Sequence, residues 1–221
     1  MRVLTPLEAR VLGVLVEKQA TVPDTYPLSV NALVAGCNQK TARSPVIEAT
    51  EGEVLTAIDG LKSLSLAFEV SGTRVVRYEH NLGRALGVPS QAVALLAVLM
   101  LRGPQTAAEL RLNCERLHRF ADISSVEGFL DELAAKDPPR AVKLARAPGS
   151  RESRWAHLLG GEIAEPAAGT SGVSAGEGGV AAGELAALKA EQSRLAGEVE
   201  QLKTLVLRLA AELGVDTGMA G

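Results

Sequence analysis

The chain has 221 residues, 47% of them hydrophobic and 22% charged, with a net charge of −3. This is the composition of a globular protein, and the charge excludes a generally basic nucleic-acid binder while leaving room for a local basic patch. The longest apolar run, Val93 to Leu101, falls far short of the roughly 20 residues of a membrane span. Two cysteines are too few for a disulfide scaffold, so the expected setting is the cytoplasm, without membrane contact.

The first element is a helix from Pro6 to Lys18, with Leu7, Val11, Leu12, Leu15 and Val16 apolar. Thr5 offers a cap, Glu8 completes a capping box and Pro6 takes the first helical position. Glu8, Arg10, Glu17 and Lys18 flank the apolar stretch Val11–Val16, which is not the layout of a signal peptide. A second helix is expected from a Ser29 cap to the neighbourhood of Cys37. A third carries Val54, Ala57, Ile58 and Leu61 at helical spacing. Strands Leu66–Val70 and Arg74–Tyr78 follow, joined by Ser71-Gly72-Thr73.

The same series then begins again. Ser90–Leu101 matches the first helix, a helix capped by Thr106 and ending near Cys114 matches the second, and Val126, Phe129, Leu130 and Leu133 match the third. Strands Ala141–Ala145 and Arg154–His157 flank the turn Ala147–Ser150. An internal repeat supports the pairing: Arg77-Tyr78-Glu79-His80 returns as Arg154-Trp155-Ala156-His157 at an offset of 77, as do Cys37 and Cys114, Leu33 and Leu110, and Ser29 and Thr106. The third helices match at an offset of 72, so loop lengths differ while element order is kept. Three helices and a β-hairpin are the order of a winged helix. The expected fold is therefore mainly α with small β-hairpins: winged-helix domains at residues 1–80 and 81–160, in tandem.

Residues 161–183 are rich in Gly, Ala and Ser and read as a flexible linker. Residues 184–213 carry Leu185, Gln192, Val199, Val206 and Leu213 at one heptad position, and Leu188, Leu195, Leu202 and Leu209 at the other. This is a coiled-coil stripe, so a homodimer through the C-terminal helix is expected; the competing reading is a helix folded back on its own domain.

Two blocks of sequence carry a resemblance. One is Asn31-Ala32-Leu33-Val34-Ala35-Gly36-Cys37-Asn38-Gln39-Lys40 with Arg43 and Pro45-Val46; the other is Leu4-Thr5-Pro6-Leu7-Glu8-Ala9-Arg10-Val11-Leu12, leading through Glu17-Lys18 and Pro23-Asp24 to Tyr26-Pro27-Leu28-Ser29. Together they resemble the YceH family of bacterial proteins over about residues 4–160. The resemblance implies tandem winged-helix domains and carries over neither an activity nor catalytic residues. Ser44 stands where the pattern leads one to expect an acidic residue, so a pairing made by that acid does not transfer.

Motifs of reaction chemistry are weak. Gly172-Val173-Ser174-Ala175-Gly176 fits a hydrolase nucleophile pattern but lies in the linker, without the strand and helix that chemistry needs. Gly36 to Thr41 lacks the Gly-Lys pair and preceding strand of a phosphate loop. Cys114 and His118 could share a metal only if Cys37 with His80 or His157 converged on them; the plainer reading is a buried thiol and a surface imidazole. His80 and His157 repeat, but no nucleophile or acid recurs beside them, and they alternate with Tyr78 and Trp155. No enzyme, cofactor or metal is expected.

The charge is unevenly spread, with balances of −1 over residues 1–80, +3 over 81–160 and −5 over 161–221. In a winged helix the third helix usually enters the major groove. Here its outward face offers Glu53, Thr56, Asp59 and Lys62 in one repeat, and Ser125, Glu127, Asp131, Glu132 and Lys136 in the other, which argues against base readout. Candidate phosphate contacts lie elsewhere: Lys40, Arg43, Arg74 and Arg77, then Arg111, Arg116, Arg119, Arg146, Arg151 and Arg154. The competing reading is arginines that blunt a hairpin edge. Asn31, Asn38 and Gln39, at the start of a long connection, are a candidate ligand or partner surface, with Asn38 expected to end its helix in a left-handed conformation. The leading expectation is a non-enzymatic regulator that contacts DNA through wings and basic loops. Its rival is an adaptor that grips a protein partner and never meets DNA.

Overall fold

The computed structural model describes residues 2–70, 75–146 and 152–161. Beyond them fall Arg74, Arg151, the Ser174 motif, the linker from residue 162 and every heptad position from Leu185 to Leu213.

The chain opens with α1 (Pro6–Thr21), capped by Thr5 in a full capping box with Glu8. A short 3-10 turn at Pro23–Thr25 leads to β1 (Leu28–Ser29). Ser29 caps α2 (Val30–Cys37), and Thr50 with Glu53 forms the capping box of α3 (Glu51–Ser63). Strands β2 (Ala67–Val70) and β3 (Arg77–His80) follow. The sheet order is β1-β3-β2, all antiparallel, with Leu28 opposite Tyr78 and Ala67 opposite His80. β3 runs two residues past the expected end because Glu79 and His80 still have partners on β2.

The sequence pattern did not foresee α4 (Leu82–Leu86). It stops at Gly87, whose φ of 61° is the left-handed conformation that glycine adopts at a helix end. Then come α5 (Ser90–Arg102), α6 (Ala107–Asn113), capped by Thr106 and Glu109, and α7 (Ile123–Ala134), capped by Asp122. Strands β4 (Ala141–Lys143) and β5 (Trp155–His157) pair antiparallel. The counterpart of β1 is reduced to a single bridge, in which Gln105 and Trp155 exchange backbone hydrogen bonds of 3.0 and 2.7 Å. Leu28 and Gln105 are 77 residues apart, like their partners Tyr78 and Trp155, so the repeat read from side chains is also a repeat of strand register.

The described residues are mainly helical with two small antiparallel sheets, and all fall within the compact unit Met1–Ala167. The core is continuous across both repeats. Nine successive residues of α1, Glu8 to Val16, are buried, and ten of α5, Ala92 to Leu101. The spacing predicted an apolar stripe on the first helix; burial on all sides is what packing against α2, α3 and α5 together produces. Two glycines permit the approach. A Cβ on Gly13 would stand 2.9 Å from Cγ of Leu101 in α5, and one on Gly36 of α2 would stand 2.6 Å from a methyl of Val14.

Candidate functional site

The outward faces of α3 and α7 are acid-rich. On α3, Glu51, Glu53 and Asp59 are exposed, and the one base there, Lys62, sits 3.5 Å from Asp59 and 2.9 Å from Glu69. On α7, Asp131 and Glu132 are exposed with Glu127 beside them. Asp122 caps the helix by accepting from the Ser125 N–H and hydroxyl, which hold its carboxyl below its ordinary range.

The candidate bases divide into three sets. Arg77 donates to the carbonyl oxygens of Thr25 (3.1 Å) and Pro27 (2.7 Å). Arg154 repeats the second bond 77 residues on, donating to Pro104 at 2.8 Å, and pairs with Glu109 at 3.3 Å. Both guanidinium groups brace the loop before the second helix of their repeat. Arg43 is enclosed: its Nε donates to Gly36, and its two Nη atoms reach Glu17, Gln39 and the carbonyl of Ala42. Its side chain is 0% exposed, which removes it from any solvent-facing surface. Lys40, Arg111, Arg116, Arg119 and Arg146 remain exposed. Arg111 donates to Ala121 at 3.1 Å and, with Arg119, lines a small hollow beside Phe120.

Of the polar trio, only Asn31 is exposed. Asn38 ends α2 with φ −89°, not left-handed; its amide instead donates to Ala49 O (2.9 Å) and accepts from Ala49 N–H (2.8 Å). Gln39 accepts from Arg43. The long connection Asn38–Thr50 is thus pinned from within, and Ser44 N–H adds a 2.8 Å bond to Leu101 O at the end of α5.

Two residues mattered more than their sequence positions suggested. Glu17 is drawn up by burial, but Arg43 and then Lys18 outweigh that and hold its carboxyl below the ordinary value. Arg10 is 3% exposed and donates to Cys37 O (3.1 Å) and Pro45 O (2.6 Å). No carboxylate pairs with it among the described residues, and its Nε has no partner. Its pKa is lowered by burial and by Arg43. Arg10 and His157 both line a cleft of about 460 Å³ where Leu4–Arg10, Ser44–Ala49, the end of α5 and the segment after β5 meet. The two thiols, raised by burial to about 11 (Cys37) and about 12 (Cys114), are fully enclosed and belong to the core.

The two repeated histidines are buried enough that desolvation pushes each imidazole down to about 4. For His80 the bonding agrees: Nδ1 accepts from Leu82 N–H at 3.3 Å while Nε2 meets Gln19 at 2.7 Å, so protonation would set two donors face to face. His157 Nδ1 is enclosed without a partner. A folded pKa below the unfolded value of about 6.5 means the unfolded chain binds more protons between the two. Stability is expected to be intact above about pH 6.5 and to fall as the pH approaches 4, by on the order of 3 kcal/mol for each histidine. Urea midpoints at pH 7 and pH 4.5 check this; a His80→Gln/His157→Gln chain showing the same drop would remove the histidines as its source.

A model of the family described as "Protein of unknown function, DUF480" matches residues 4–150. A UPF0502 protein of Burkholderia multivorans is 66% identical, the match covering 100% of this chain and 94% of the relative. One of Paraburkholderia phytofirmans is 66% identical over 99% of this chain and 92% of its own length. One of Burkholderia pseudomallei strain K96243 is 67% identical with the same coverage.

Proposed function

We propose, from the premise that this chain belongs to the DUF480 family of bacterial proteins of unknown function, that it is a non-enzymatic tandem winged-helix adaptor that holds a protein partner. The winged-helix reading is supported by three helices followed by a hairpin, with strand order β1-β3-β2, and by the same order in the second repeat with Gln105 in place of β1. One observation carries the adaptor reading. The faces that would enter a DNA groove are acidic in both repeats, and the wing arginines Arg77 and Arg154 each turn an N–H back to a backbone carbonyl of their own repeat. Like charge against phosphate costs affinity, whereas the same faces attract a partner rich in Lys and Arg. On sequence grounds alone, the heptad stripe of residues 184–213 joins two copies and doubles the surface offered.

A second reading has its own support. Arg111, Arg116 and Arg119 are exposed on one stretch of the second repeat and pair with no carboxylate among the described residues, an arrangement suited to phosphate contact without base readout. Fluorescence anisotropy of a labelled duplex separates the two. The adaptor predicts no saturable signal at low salt. Binding that decays steeply with salt and disappears in Arg111→Ala/Arg116→Ala/Arg119→Ala would replace it with the nucleic-acid reading.

A further inference from the structure

The cleft between the start of α1 and the connection Ser44–Ala49 is apolar where Leu4, Leu7, Pro45, Ile47 and Met100 line it. Its volume, about 460 Å³, is that of a small-molecule site. We propose that it binds a small organic monoanion, a carboxylate carried on an aliphatic body.

The enclosed part of the lining points to an anion: Arg10 is its one charged group, whereas Glu48 and Glu53 stand exposed. Arg10 lines the cleft and is 3% exposed. Only two of its N–H groups are used, both on carbonyl oxygens, and one of these belongs to Pro45 in the cleft lining, which places the guanidinium against that wall. Arg43 adds a second positive charge nearby, and the acid that pairs with Arg43, Glu17, is shared with Lys18. A buried cation without a counterion is costly, and a bound carboxylate supplies the missing charge. His157 adds an enclosed, unpartnered Nδ1 on the same lining. Its imidazole is neutral near pH 7 and so offers a hydrogen bond without adding charge. Glu48 and Glu53 also line the cleft, and they disfavour a second negative charge, which limits the ligand to a monoanion.

The test uses octanoate and octanol as matched probes, titrated calorimetrically into the full chain. Octanoate is expected to bind at least about tenfold more tightly than octanol, the margin of a hydrogen bond to a charged group. Arg10→Met should bring the two to within about threefold. Ile47→Trp, which fills the cleft and leaves Arg10 in place, should abolish octanoate binding with circular dichroism unchanged, and it stands as the test if Arg10→Met does not fold. Equal binding of the two probes, no binding of octanoate, or octanoate binding retained in Ile47→Trp would each overturn the proposal.

Discussion

Replacing Arg43 by methionine is expected to cost about 3–5 kcal/mol of unfolding free energy at pH 7, because it breaks a buried ion pair from one side only. The Glu17 side chain, 15% exposed, loses a partner at 2.6 Å, and the carbonyls of Gly36 and Ala42 lose their donors. The loss has a pH signature. In the native chain Glu17 is held below its ordinary pKa, so the pair's contribution is present above the unfolded value and is lost as the pH falls through the folded one. Without Arg43, burial dominates and the carboxyl moves the other way. The deficit of the variant should therefore be largest near neutrality and shrink below about pH 4.5. Urea melts of both chains at pH 7 and pH 4 measure this. Adding Glu17→Gln to Arg43→Met should restore part of the stability. A deficit that ignores pH and is not relieved by the double change would mean that Arg43 acts through packing alone.

Trp155→Ala should be comparably severe, about 3–5 kcal/mol, since it removes the largest fully buried side chain and leaves a cavity. The ring is 2% exposed, with Lys143 Nζ 5.5 Å from its centroid, and its backbone is paired with Gln105 on one side and Lys143 on the other. Trp155→Phe should retain most of the stability, because much of the buried apolar surface stays. Both are read from guanidinium melts followed by far-ultraviolet circular dichroism. In the native chain Trp155 is the sole tryptophan, so its fluorescence reports the second repeat while dichroism reports both. With one continuous core the two curves should coincide. A fluorescence transition separated from the dichroism transition would show that the repeats unfold independently.

Much of this fold could be read before any coordinates. Capping residues name themselves by chemistry, so Thr5, Ser29 and Thr106 marked helix starts correctly. The 77-residue offset carried strand register as well as residue type. What escaped the sequence is direction and distance. Arg77 and Arg154 were visible as bases beside a hairpin, but nothing in their neighbours says that they turn back to Pro27 and Pro104. Arg43 looked like one more surface base because its partner Glu17 is 26 residues away, on a helix that packs against the connection only after folding. The cleft was invisible for the same reason. Its walls come from stretches far apart in the chain, and only the long connection that includes Ser44–Ala49 had been singled out, for its length.

The α1–α5 contact has a practical consequence. A fragment ending after His80 would expose the strip of α1 that leans on Ala97 and Leu101, and the complementary fragment would expose the other side of the same seam. Each half produced by itself should be sticky and prone to precipitate, whereas making both in one cell should let them reunite as a split protein. The unit that the repeat marks out is thus smaller than the unit that can be handled in a tube.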